Sequence, residues 1–317
     1  MTLTLYVFRS RHIIILSATA LKRVLDQTLI ETSLEYIDMV DQLPALSPLR
    51  RDPQFIGVVH LPPLPGDPRG GALSYQACYE HALRDAQALI AGGVDGIIIE
   101  NFGSAPFHKG DHSDPAPPHQ IAAITVVAAQ VRALSSQVKV GINCLRNDVR
   151  AALGIAAAAN ADFVRVNVLS GAYVTDQGLI EGEAAMALRY RRQLDAPQLQ
   201  IFADLLVKHA APLAPLTPSQ AALDTWKRGG ADTLIVTGTG TGAAVNAALL
   251  DEVQRAVNAQ VPVYIGSGLS MSNLEELAPL ASGAIVGTAL KEDGELSAPV
   301  SQARVESLRA GLNRWWG

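Results

Sequence analysis

Cysteine is nearly absent from this 317-residue chain: Cys78 and Cys144 stand alone. That excludes a disulfide framework and points to a reducing, cytoplasmic setting. An excess of basic charge is missing too. Lys and Arg number 25 against 30 Asp and Glu, a formal net charge of -5, so no cationic face is implied and nucleic acid is not expected as the main partner. No apolar run is long enough to span a bilayer. Neither a lipidation motif nor a strongly basic amphipathic helix stands out, which limits any membrane attachment to a peripheral one.

What is present is apolar material for one large core, with hydrophobic residues at 49% and charged residues at 17%. It comes in a repeated rhythm. Ala91-Gly92-Gly93-Val94-Asp95-Gly96 leads into Ile97-Ile98-Ile99, Ala159-Asn160-Ala161-Asp162 into Phe163-Val164-Arg165-Val166, and Arg228-Gly229-Gly230-Ala231-Asp232 into Thr233-Leu234-Ile235-Val236. Gly or Asn after a helix takes the left-handed conformation, and near-continuous apolar strands imply burial on both faces. Strands are predicted at 55–59, 96–99, 138–142, 163–168, 199–203, 233–236, 261–265 and 284–286. Eight strands alternating with helices favour a closed barrel over an open sheet. Ser74, Thr217 before Pro218, and Asn246 are the predicted helix caps. A last helix is expected from Val300 to Trp316, with Val305, Leu308, Leu312 and Trp315 toward the core. The predicted fold is α/β, a single (β/α)8 TIM barrel over residues 51–317 behind an N-terminal extension, residues 1–50.

The extension is ambiguous. Arg9 and Arg11 before Ile13-Ile14-Ile15-Leu16 and Ser17-Ala18-Thr19-Ala20 have the outline of a secretion signal, but the apolar core is too short to convince. A helical stretch at about 21–43, or partial disorder, is the favoured reading.

In such a barrel the C-terminal strand ends build the site. Gly266-Ser267-Gly268 closes one predicted strand and Gly287-Thr288 the next. Small-residue turns on the last two strands let backbone N–H groups approach a phosphate, and Ser272 to Glu275 has the spacing of a capping box for a helix between them. Earlier ends supply His60, Glu100, Asn101, Asn143, Arg146, Asn147 and Asp148, then Arg165 and Asn167, a loop with Asp176, then Asp204 and Lys208-His209, then Thr237-Gly238. Charge crowded at the ends of apolar strands needs a reason, because burying it unpaired is costly. A pocket holding an anion supplies one. Arg165, Lys208 and backbone amides would attract it, and His60, Glu100 and Asp204 would move protons. The alternative is that these groups only satisfy one another.

Other signals are weaker. The Thr-Gly run at 237–242 reads equally as phosphate cradle or flexible loop. His108, His112 and His119 with Asp111 and Asp114 lack metal-ligand spacing, so a Pro-rich loop is the better account and no metal site is expected. Glu100 with Asp204 suggests Mg²⁺ only faintly, since carboxylates from different strands are no metal motif, and no cofactor is required. Lys208 would form a Schiff base if desolvated, although pairing with phosphate is the simpler role. Ser267 has no recognisable His-Asp partners. Exposed barrel helices often pair, so a homo-oligomer is expected by fold analogy.

From about Phe55 onward the chain resembles the BtpA family. The resemblance rests on Ile56-Gly57-Val58-Val59-His60-Leu61-Pro62-Pro63-Leu64-Pro65, Glu100-Asn101-Phe102, Ala105-Pro106-Phe107, Leu145-Arg146-Asn147-Asp148, Arg165-Val166-Asn167-Val168-Leu169, Thr175-Asp176-Gln177-Gly178, Leu206-Val207-Lys208-His209-Ala210 and Ile265-Gly266-Ser267-Gly268. It implies a barrel of the ribulose-phosphate-binding type. It also implies a role in accumulating the photosystem I reaction centre, peripherally on the cytoplasmic face of thylakoids, with photosystem I assembly components as partners. The family supplies no reaction. Its occurrence in non-photosynthetic organisms leaves open an enzyme, of isomerase, lyase or transferase type, acting on a phosphorylated small molecule.

Overall fold

The computed structural model describes residues 5–9, 12–16, 54–71, 73–238 and 245–316. They fall into two units divided at Arg50 and Arg51. In the first, β1 (Leu5–Arg9) and β2 (His12–Leu16) pair as an antiparallel hairpin with Leu5 opposite Leu16. The helix expected at about 21–43 lies outside the described residues.

The second unit forms around the eight predicted strands: β3 (Gln54–His60), β4 (Gly96–Glu100), β5 (Lys139–Asn143), β6 (Phe163–Val166), β9 (Gln200–Leu205), β11 (Thr233–Val236), β12 (Val263–Ile265) and β13 (Gly283–Val286). They close in that order, β13 pairing back onto β3, and every pairing is parallel. Helices α1 (Tyr75–Ala91), α2 (Pro118–Leu134), α3 (Val149–Ala158), α4 (Ala184–Gln193), α5 (Pro218–Leu223), α6 (Ala247–Val257), the single turn α7 (Leu274–Leu277) and α8 (Gln302–Trp316) connect or follow them.

The repeated motif explains how each unit starts. Asn160, Gly93 and Gly230 all take positive φ, at 52°, 90° and 70°, and stop the helix before them. The Asp that follows each turns back to the sheet. Asp95 accepts from Phe55 N at 2.8 Å, Asp162 from Val140 N at 2.7 Å, and Asp232 from Ile201 N at 2.8 Å. Arg309, Arg132 and Arg191 pair with the same three carboxylates. One device thus ties the N-terminal ends of neighbouring strands at three places around the barrel. The predicted caps also form: Ser74, Thr217 and Asn246 accept from backbone N–H groups of α1, α5 and α6.

Strand alternation splits the core in two. Outward residues such as Val59, Ile97, Ile99, Val164, Leu234 and Val263 pack under the helices. Inward residues Ile56, Val58, Ile98, Phe163, Phe202, Ile235, Tyr264 and Ile285 fill the barrel as a separate cluster. Phe163 and Phe202 stack at 4.5 Å between ring centroids. Gly141 makes room for them, since a Cβ there would stand 2.2 Å from the Phe163 ring.

Three features differ from expectation. First, β7 (Ala172–Thr175), β8 (Gly178–Glu181) and β10 (Ala210–Pro212) form a small antiparallel sheet in the loops after β6 and β9. Second, α8 buries Val305, Leu308 and Leu312 as predicted, but Trp315 is 42% exposed and Trp316 takes the core position. Trp316 is the i+4 neighbour of Leu312, and its indole donates to Ala278 O at 3.1 Å. Third, the Ser272 capping box does not form. Asn273 precedes the one-turn α7, and its carboxamide instead accepts from Ser270 N at 2.9 Å and donates to Gly268 O at 2.8 Å.

Candidate active site

One step above the apolar tier, every strand's next inward position is small or polar. Val58 is followed by His60, Ile98 by Glu100, Gly141 by Asn143, Phe163 by Arg165 and then Asn167, and Phe202 by Asp204. Ile235 is followed by Thr237, Tyr264 by Gly266, and Ile285 by Gly287. The C-terminal mouth is therefore charged on one side and nearly bare on the other.

The charged side is a connected network. Arg165 donates from Nε and Nη2 to the two Asp204 oxygens at 3.0 and 3.1 Å, a bidentate pair in which both residues are buried. Burial opposes the Arg165 charge, but Asp204 and then Glu100 outweigh it and hold the guanidinium pKa above its ordinary value. Asn167 Nδ2 donates to Asp204 Oδ2 at 2.6 Å, which leaves its own buried Oδ1 without a partner among the described residues. Asn143 Nδ2 donates to Glu100 Oε2 at 2.7 Å. Arg146 donates to Lys208 O at 2.9 Å and so reaches across from the loop after β5 to the loop after β9.

The bare side is built for close approach. A Cβ on Gly266 would stand 2.3 Å from Ile235 Cγ2, and one on Gly287 would stand 2.7 Å from the His60 ring. Gly268 has φ 75°. Among the described residues, the amides of Ser267, Gly268 and Leu269 donate to no protein acceptor, and Ser267 Oγ is buried without a partner. Successive free amides around a left-handed residue form an anion-accepting concavity. The short α7 adds no helix-end contribution of the kind expected from sequence.

Two cavities meet here. One of about 220 Å³ is walled by His60, Gly266, Ser267, Gly268, Gly287 and Thr288. The other, of about 300 Å³, is walled by Phe107, Asn143, Arg146, Asn167, Asp176 and His209. Glu100, Phe102, Arg165 and Lys208 line both. The site is thus one two-lobed cleft, with two cations and a carboxylate at its waist.

Five candidates from the sequence line neither lobe. Asn101 accepts from Leu145 N at 2.7 Å and donates to Leu145 O at 3.2 Å, and Asn147 clamps Val168 in the same way at 2.7 and 3.0 Å. Asp204 stands behind Arg165. Thr237 and Gly238 are buried, and the rest of the Thr-Gly run, Thr239 to Gly242, lies outside the described residues. Lys291 is buried elsewhere, against Asp85. Strand-end counting misses Phe102, Phe107 and Leu269, because these come from the loops beyond the strands. The His108 loop is closed by its own pairs, His108 with Asp114 at 2.6 Å and Lys109 with Asp111 at 2.9 Å.

His60 stacks edge-on to Phe102 at 5.1 Å, and its Nδ1 is buried without a partner among the described residues. Burial pushes its imidazole from 6.5 down to about 4, against the smaller opposing pull of Glu100. The ring is therefore neutral at pH 7. Between those two values the unfolded chain binds a proton that the folded chain refuses, so stability falls as pH drops through the window. This group alone should contribute up to about 3 kcal/mol of that loss. Urea unfolding of wild type and His60→Gln at several pH values checks it: equal pH slopes in both would remove His60 from the account.

A closed parallel barrel with polar strand ends and a two-lobed cleft at its C-terminal mouth defines a (β/α)8 barrel. The family model described as BtpA family matches residues 51–314, and the chain belongs to that family. It is 46% identical to the photosystem I biogenesis protein BtpA of Synechocystis sp. over 263 residues, covering 81% of this chain and 88% of the relative. It is 43% identical to an uncharacterised protein of Pyrococcus furiosus, covering 80% and 92%. Among solved structures, thiamine phosphate pyrophosphorylase from P. furiosus aligns at 16% identity with a TM-score of 0.52, covering 84% of this chain and 99% of that one, and so shares the fold. Among the described residues no helix is long and apolar enough to cross a membrane.

Proposed function

We propose that this chain is an enzyme acting on a phosphorylated small molecule by isomerisation, aldol-type cleavage or group transfer. The observation that carries the reading is the two-lobed cleft with Glu100, Arg165 and Lys208 at its waist. The glycine lobe takes the phosphate on the amides of Ser267 to Leu269, and the polar lobe takes the reacting part of the molecule. Glu100 is the acid/base, since its carboxylate reaches both lobes. Arg165 and Lys208 hold developing negative charge. Asp204 serves as the holder of Arg165 rather than as a base, because both its oxygens already accept from Arg165 and Asn167.

A thermal-shift screen against phosphorylated metabolites, with inorganic phosphate and sulfate as controls, tests this. A ligand at a hundred times its Kd should add about 2.7 kcal/mol of stability. Gly268→Asp keeps a residue that tolerates positive φ yet sets a carboxylate in the cradle, and should abolish the shift. An undiminished shift in that variant would sink the glycine-lobe assignment.

A second reading follows from the Synechocystis relative, whose name assigns it to photosystem I biogenesis. On that reading the chain supports photosystem I accumulation from the cytoplasmic face of thylakoids, with the barrel as scaffold or sensor. The similar identity to a Pyrococcus protein favours a chemistry that does not depend on photosynthesis. The two agree if the product is needed for assembly. Deleting the gene in a photosynthetic host without loss of photosystem I would exclude the second reading.

A further inference from the structure

Lys208 differs from the other described lysines in lining the cleft. Lys291 is paired with Asp85, Lys109 with Asp111, and Lys227 lies over the Trp226 ring at 5.0 Å. Lys208 is half-buried at the waist of the cleft, yet among the described residues no carboxylate comes within 4.0 Å of its ammonium. Its neighbours in the cleft include a second cation, Arg165, already committed to Asp204. The backbone around it is tightly fixed. Leu206 and His209 both hold positive φ, at 47° and 58°, Arg146 binds Lys208 O, and β10 follows at once. Non-glycine residues held in that region mark positions that the surrounding structure over-determines.

We propose that Lys208 is an amine nucleophile that forms an imine with the carbonyl group of a phosphorylated aldehyde or ketone, and that Glu100 moves the protons of that step. The inference rests on the phosphorylated-ligand reading above and narrows it to carbonyl substrates. Burial, and then Arg165 beside it, lowers the Lys208 pKa, which raises the share of free amine near neutrality. Glu100, which lines the same cleft beyond direct contact, takes a proton from the ammonium through one bridging water. The nitrogen lone pair then forms the C–N bond while the carbonyl π pair moves to oxygen. One nitrogen proton and the proton returned by Glu100 convert that oxygen to water. Its departure leaves a protonated imine, with Glu100 back as carboxylate.

The chain has six lysines, so the test reads cleanly. The intact protein is treated at pH 7 with pyridoxal 5′-phosphate, a phosphorylated aldehyde, then reduced with borohydride and peptide-mapped. Lys208 should be labelled several-fold faster than Lys139 and Lys227, because burial leaves a larger share of it as free amine. Inorganic phosphate should protect Lys208 alone, and Lys208→Arg should remove the fast adduct. In parallel, stabilisation by glycerol 3-phosphate, which has no carbonyl, reports on the phosphate lobe. Stabilisation with Lys208 labelled no faster than the surface lysines overturns the imine and leaves the phosphate reading standing. Fast labelling without stabilisation supports the imine and removes the phosphate lobe. Failure of both removes both.

Discussion

Asp204→Ala should destabilise the barrel by about 3–5 kcal/mol in urea unfolding, among the largest losses available to one substitution here. The reason is what remains. Arg165 points into the barrel on top of the stacked Phe163 and Phe202, is only 5% exposed, and has Asp204 as its ion-pair partner. Without that carboxylate a guanidinium stays desolvated and unpaired, and Asn167 Nδ2 loses its acceptor as well. Two companions separate charge from packing. Asp204→Asn keeps the shape and one acceptor, and should lose less. Arg165→Met with Asp204→Leu removes both charges and should recover most of the stability. The recovered double variant should still fail to bind a phosphorylated ligand, since the cation at the waist is gone. A double variant as unstable as Asp204→Ala would mean that the loss did not come from the stranded charge.

The same residues show how far sequence reading reached. Strands buried on both faces spell themselves out as apolar runs, and the Gly or Asn two residues before Asp95, Asp162 and Asp232 marks where a helix must stop ahead of three of them; the barrel was legible for those reasons. The site was legible as a set of strand ends but not as a division of labour. Asn101, Asn143, Asn147 and Asn167 look alike just past a strand. Asn143 and Asn167 fall in phase with Glu100 and Arg165 and face the cleft, while Asn101 is one residue out of phase and turns to hold Leu145. Phase, read from the apolar tier upward, was the available signal. The β7, β8 and β10 sheet was hidden because its strands are three or four residues long and largely exposed, and one ends on Pro212. Asp85 was hidden differently. Mid-helix carboxylates usually face water, and its partner Lys291 lies 206 residues away.

That pair supports the second large prediction. Asp85 on α1 is fully buried and gathers the whole segment after β13. Its Oδ2 takes Lys291 Nζ at 2.5 Å and its Oδ1 takes Val300 N at 3.1 Å, while Lys291 and Val300 face one another in an antiparallel bridge. The segment so tethered begins at Thr288 and passes through Gly294, both walls of the glycine lobe. Asp85→Ala should therefore cost about 3–5 kcal/mol by stranding the Lys291 ammonium in the core. Asp85→Leu with Lys291→Met should restore most of that, because an apolar pair of similar volume replaces a desolvated one. Restoration of fold is not restoration of the tether. Val300 N still lacks its acceptor, and the loop loses its tie to α1. Inorganic phosphate, followed by calorimetric titration, should thus bind the double variant several-fold more weakly than wild type even when the unfolding midpoints agree. Wild-type affinity in a stable double variant would show that the glycine lobe holds its shape without Asp85, and would reduce the buried pair to a feature of stability alone.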